Sequence, residues 1–276
     1  MSAIGSTFEK AANPAPVRWA ELATPEIGAL FEARPEEVGL VPVGATEQHG
    51  PHLPTGTDTI LASAICDAAS LRSGAPVLPP VTVGCSFGHG TALAGTLSLD
   101  PELLAAVIRS VAEWAAYSGL RRLLFVNGHF GNAGALLVAT DHLRLERADL
   151  RAGFIGWWDA DGEVAAEVFA DGQDVHANQA ETSLMLAVAP ELVHLDRIAG
   201  ADDPDRTGPL VFRYTATELS KNGVTGMPSR ATAALGERLL EHAVSAVAAR
   251  VTAGRAERSP LLEDQALHLL GGTGAP

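Results

Sequence analysis

Apolar residues fall into two interleaved patterns along this chain. Unbroken apolar runs recur at 38–43, 76–83, 122–126 and 151–157, and stretches of helical periodicity lie at 59–71, 100–118, 132–148, 180–189 and 229–253. Short runs without polar alternation suit strands buried on both faces, and their alternation with helices predicts βαβ units. The expected fold is therefore α/β, with a mostly parallel central sheet covered by helices on both sides. Helix boundaries agree: Asp100-Pro101-Glu102 supplies an N-cap and a first-turn proline, Gly119 closes the same helix, and Ser229 precedes the long alanine-rich one.

The 276 residues, 47% of them hydrophobic, can bury a large core as a single domain spanning 1–276. Residues 1–15, small and broken by proline, read as an N-terminal arm, and 257–276, Gly-rich at the end, as a C-terminal tail. Cys66 and Cys85 have no CxxC spacing, so they read as reduced thiols, which favours a cytoplasmic protein. No basic-then-apolar leader opens the chain, and no apolar run approaches the roughly 20 residues of a membrane span. Nineteen basic against 33 acidic residues give a net charge of −14, which repels phosphate backbones and anionic membranes. Neither nucleic acid nor membrane is an expected partner; a small-molecule substrate is.

Candidate chemistry concentrates at strand ends. Directly after the 38–43 run comes Thr46-Glu47-Gln48-His49-Gly50-Pro51-His52-Leu53-Pro54-Thr55-Gly56-Thr57-Asp58. Glu47, His49 and Asp58 are carboxylate and imidazole groups of the kind a divalent metal binds, against the alternative of a solvated turn. The run Leu123-Leu124-Phe125-Val126-Asn127-Gly128-His129 puts His129 at the end of a second strand, on the same rim, where ligands collect in open α/β sheets. Asp174-Val175-His176-Ala177-Asn178-Gln179-Ala180-Glu181 opens a helix; Glu181 is either a first-turn capping charge or a site residue. Gly84-Cys85-Ser86-Phe87-Gly88-His89 reads as a pocket wall or a structural turn, and His52 either orients its loop or touches substrate.

Together these segments resemble the creatininase family of metal-dependent amidohydrolases. The likeness runs through Pro42-Val43-Gly44-Ala45-Thr46-Glu47-Gln48-His49-Gly50-Pro51-His52-Leu53-Pro54, Thr57-Asp58-Thr59, Val126-Asn127-Gly128-His129, His176-Ala177 and Glu181-Thr182-Ser183, and covers the chain from about Trp19 to Val251. It implies a three-layer α/β/α domain holding two divalent ions (Zn, Mn or Fe), assembled as a homo-oligomer, often a hexamer. By position it implies Glu47, His49, Asp58 and His129 as ligands, with Asp58 the bridge. A metal-bridging hydroxide would then attack the scissile carbonyl. His176 would be the proton donor to the leaving nitrogen, Glu181 would share in catalysis, and Ser86, His89, Trp158 and Asn127 would meet substrate.

Departures from the pattern bear on the subtype. Creatinine-opening members carry a glutamate ligand where this chain has Gly131, so Glu181 is the candidate to complete the second metal site. Their tryptophan flap before the histidine is replaced here by Asp171-Gly172-Gln173-Asp174, although Trp158-Asp159 resembles a further aromatic element of theirs. The expected activity is hydrolysis of a C–N bond in a small, cyclic metabolite. The alternative is a peptidase or deformylase of cofactor biosynthesis, acting on a mycofactocin-type precursor peptide or a formylaminopyrimidine. A metal-stabilised scaffold without turnover is the third reading.

Overall fold

The computed structural model describes residues 15–159 and 162–259. The arm over 1–15 and the tail over 257–276 lie almost wholly outside the described residues. Five parallel strands form one sheet in the order β1 (Val17–Arg18), β3 (Pro76–Val77), β2 (Val38–Val43), β4 (Arg122–Asn127), β5 (Arg151–Gly156). In chain order the helices are α1 (Thr24–Ala33), α2 (Thr57–Ser73), α3 (Pro101–Tyr117), α4 (Ala133–Glu146), α5 (Gly162–Val168), α6 (Gln179–Val188), α7 (Leu195–Ile198), α8 (Ala216–Leu219) and α9 (Ala233–Ala256).

Alternation along the strands builds the three layers. Leu40 of β2 and Leu124 and Val126 of β4 pack with α2, α6 and α9, while Val41, Val43, Leu123 and Phe125 point into a second core with α1, α3 and α4. The expected α/β/α arrangement with a parallel sheet is the one observed. The predicted strand over 76–83 shrinks to two residues, because Pro79 and Pro80 have no N–H to give the ladder. Contact with the β2 segment continues through isolated bonds, Leu78 N–H to the Leu40 carbonyl, Val81 N–H to the Pro42 carbonyl and Gly44 N–H to the Val81 carbonyl.

Crowding at the C-terminal rim positions the site. A Cβ at Gly128 would collide with the backbone carbonyl of Asp58, so glycine lets the end of β4 press against the first turn of α2. Among the described residues, no helix is long and apolar enough to cross a membrane.

Candidate metal centre

Four segments meet beyond the ends of β2 and β4. Glu47 and His49 follow β2, Asp58 sits in the first turn of α2, His129 follows β4, and Glu181 sits in the first turn of α6. All five side chains are buried. His49 Nε2 lies 3.2 Å from Asp58 Oδ1 and 3.6 Å from Glu181 Oε2. His129 Nδ1 lies 3.3 Å from Glu47 Oε1 and 3.6 Å from Asp58 Oδ2. Asp58 thus turns one oxygen to each histidine, the disposition of a bridging carboxylate.

Backbone carbonyls orient the two imidazoles. His49 Nδ1 donates to the carbonyl of Glu47 (3.1 Å) and His129 Nε2 to the carbonyl of Cys85 (2.9 Å). Each bond fixes a proton on the far nitrogen and leaves the near one with a lone pair facing the carboxylates. Both oxygens of Glu47, Nε2 of His49 and Oδ2 of Asp58 are buried without a hydrogen-bond partner among the described residues. Unpaired buried acceptors are costly. Cations held between these groups would satisfy all four, and the mixed imidazole and carboxylate ligands suit divalent transition metals, so the residues fit the two-ion centre that the resemblance implies.

Titration directions carry the same demand for positive charge. Burial alone would push the Glu47 carboxyl up, but His129, His176 and His89 outweigh it and hold it well below the usual range. Burial opposes a charge on His129, yet Glu47 and Asp58 lift it to about 9. His49 is likewise raised against its burial by Asp58 and Glu181, and Glu181 is lowered against its own burial by His49. Burial, with the Glu47 charge beside it, lifts Asp58 to about 6. His176 goes the other way: burial, then His89 and His49, depress it to about 4 and keep it neutral.

Glu181 does not act as the cap of α6. That task falls to Asn178, whose side chain accepts the N–H of Glu181 (3.0 Å), while Glu181 Oε2 accepts the N–H of Ala177 (2.6 Å) and faces His49. Ala177 has φ of 50°, a conformation disfavoured for alanine, which turns the chain between His176 and the helix.

A cavity of about 880 Å³ opens beside the centre, lined by Ser86, His89, His129 and His176 and by apolar side chains including Phe87, Phe212 and Tyr214. Ser86 is buried, with no hydrogen-bond partner for its hydroxyl among the described residues. Two residues expected to meet substrate stand outside this wall. Trp158 is stacked on Phe130 at 3.9 Å, and Asn127 Oδ1 is engaged inside its own turn by the His129 N–H and the Asn132 amide. His52 is fully buried with Nε2 2.8 Å from Thr182 Oγ1, which ties its loop to α6. Gln48 and Asn132 were not singled out by sequence; their parts depend on contacts between distant segments.

The family model described as creatininase, creatinine amidohydrolase, matches residues 20–251. The mycofactocin precursor peptide peptidase of Mycolicibacterium smegmatis is 37% identical over 235 residues, covering 81% of this chain and 87% of that protein. The creatinine amidohydrolase of Pseudomonas putida is 32% identical over 226 residues, covering 76% and 86%. A solved mutant creatininase of Zn-Zn type superposes with a TM-score of 0.76 at 32% identity, covering 86% of this chain and 97% of that one.

Proposed function

The chain belongs to the creatininase family, and from that premise we propose that it is a dinuclear metal amidohydrolase whose substrate is a peptide or acyl amide larger than creatinine. The unpaired buried donors carry the metal part of this reading. Glu47, Asp58 and His129 would hold one ion and His49, Asp58 and Glu181 the other. When bound, two such ions activate a shared water and polarise the scissile carbonyl. The protein's own part is to hold the ligands in register through the Cys85 and Glu47 carbonyls, and to border the substrate with His89, His176 and Ser86.

The cavity carries the substrate part. About 880 Å³ is near the upper end of small-molecule pockets, and its wall presents Phe87, 57% exposed, and Phe212, 73% exposed. Creatinine would leave most of that apolar surface uncovered, whereas an apolar or aromatic peptide group would cover it. Similarity to a peptidase supports the same assignment. The small cyclic amide remains the second reading, favoured by the matched family model and its creatinine amidohydrolase relative.

A screen of creatinine, cyclic ureides, formamides and short peptides with apolar termini, each with Zn, Mn and Fe, separates these readings. The expected result is peptide turnover, with KM raised about 10-fold or more in Phe212→Ser as buried apolar contact is lost. Turnover of cyclic amides alone, indifferent to Phe212→Ser, would favour the second.

A further inference from the structure

His89 and His176 stand as close to the Glu47 carboxylate as His129 does. His89 Nε2 is 3.1 Å from Glu47 Oε2, and His176 Nδ1 is 3.3 Å from Glu47 Oε1. By proximity alone the set Glu47, His89 and His176 is a third candidate ion site, and His176 joins His49 and Glu181 in another. What differs is the group behind each ring. Behind His49 and His129 stand carbonyl oxygens, which only accept. Behind His89 and His176 stands one side-chain amide, that of Gln48.

Two backbone groups settle which way this amide faces. Gln48 Oε1 accepts the N–H of Gly50 (3.0 Å), and Nε2 donates to the carbonyl of Gly223 (3.0 Å). The reverse orientation would set oxygen against oxygen at Gly223 and N–H against N–H at Gly50. The same Nε2 lies 3.0 Å from His89 Nδ1 and 2.8 Å from His176 Nε2. An amide NH₂ has two protons and no lone pair: with one given to the Gly223 carbonyl, the other is shared between the two facing ring nitrogens, and a ring N–H aimed at this group would meet no acceptor, so the ring protons lie on the other nitrogens.

We propose that Gln48 is a positioning residue that fixes these tautomers, so that His89 Nε2 and His176 Nδ1 each present an N–H on the Glu47 side of the cavity. This rests on the reading of Glu47, His49, Asp58, His129 and Glu181 as the metal set. Neither N–H makes a full hydrogen bond to Glu47, whose oxygens have no such partner, and both rings line the cavity. The pair therefore forms a donor cradle for a substrate oxygen that gains negative charge. An N–H at His176 Nδ1 is placed to donate toward substrate, and does not suit a general base at that atom.

The test is nitrogen NMR of the full chain with isotope-labelled histidine, loaded with NMR-active cadmium, and with His89→Asn and His176→Asn to identify the two signals. The proposal expects cadmium coupling at His49 and His129, none at His89 or His176, and a single tautomer at each of the latter, N–H at Nε2 and Nδ1 respectively. In Gln48→Met, that single-tautomer signature becomes a mixture while cadmium loading is retained. Cadmium coupling at His89 or His176, or the opposite tautomers, would overturn the proposal. Absence of coupling at every histidine would instead sink the metal reading beneath it. The wild-type spectrum decides the matter even if Gln48→Met does not fold.

Discussion

His49 Nε2 and Asp58 Oδ1 lie 3.2 Å apart with both side chains sealed from water, and His49 Nε2 has no hydrogen bond to any described residue. A buried nitrogen aimed at a carboxylate, with its tautomer held by the carbonyl of its neighbour, is arranged for a shared ion. His49→Gln should remove one ion and leave about one per chain, because Glu47, Asp58 and His129 stay in place. Turnover should fall by more than the roughly 10- to 100-fold expected for loss of an outer-shell partner. Elemental analysis beside a rate measurement checks both; full loading of the variant would refute the assignment of His49.

Gly131, where the resemblance implies a glutamate in creatinine-opening members, is closed to a side chain. A Cβ there would collide with the Cys85 carbonyl and with the His129 ring. Gly131→Glu should therefore displace His129 from its carbonyl and weaken metal binding by about 10-fold or more, with no gain of creatinine hydrolysis. Competition with a chromophoric chelator reads the change; tighter binding would contradict it.

Stability should fall with acid through His52. Burial, with the His49 charge beside it, depresses its pKa to about 4, against about 6.5 in an unfolded chain. The sign follows: below about 6.5 the unfolded chain takes up a proton that the native ring refuses until about pH 4, so the contribution is fully present above 6.5 and is lost as pH falls through this window. The loss is up to about 3 kcal/mol. Denaturant unfolding of wild type and His52→Gln between pH 7 and 4 should show the wild type losing more, and parallel curves would be the contrary result.

Asn178 caps α6 through the Glu181 N–H and also donates to Asp171 (2.9 Å). Asn178→Ala should cost about 1 kcal/mol for the cap, lowering Tm by roughly 2–4 °C. It should also loosen the turn that holds Glu181, so metal affinity should drop alongside; calorimetry with and without zinc separates the two effects.

Strands β2 and β4 were legible because each is buried on both faces, which leaves an unbroken apolar run; the edge strand β5 is only partly buried and was legible from its small and apolar residues. The first helix, β1 and the short α5, α7 and α8 left no such run: α1 buries only Phe31, and β1 is two residues held by pairing to β3. Glu47, His49, Asp58 and His129 were legible as candidates because each lies near a strand end, in a glycine-bearing segment. Gln48 lay inside the same motif and passed unnoticed, since its partners come from residues 89, 176 and 223. The surroundings of Trp158 and Asn127 were not legible either: Trp158 stacks on Phe130, and Asn127 Oδ1 accepts from the His129 N–H and the Asn132 amide.

The central claim is a two-ion centre, and equilibrium loading of the full chain with zinc, followed by elemental analysis, tests it most directly. The account predicts about two ions per chain in the wild type and fewer than one in Asp58→Asn, with both proteins folded. A folded wild type that takes up no metal, or an Asp58→Asn that takes up as much as wild type, would contradict it.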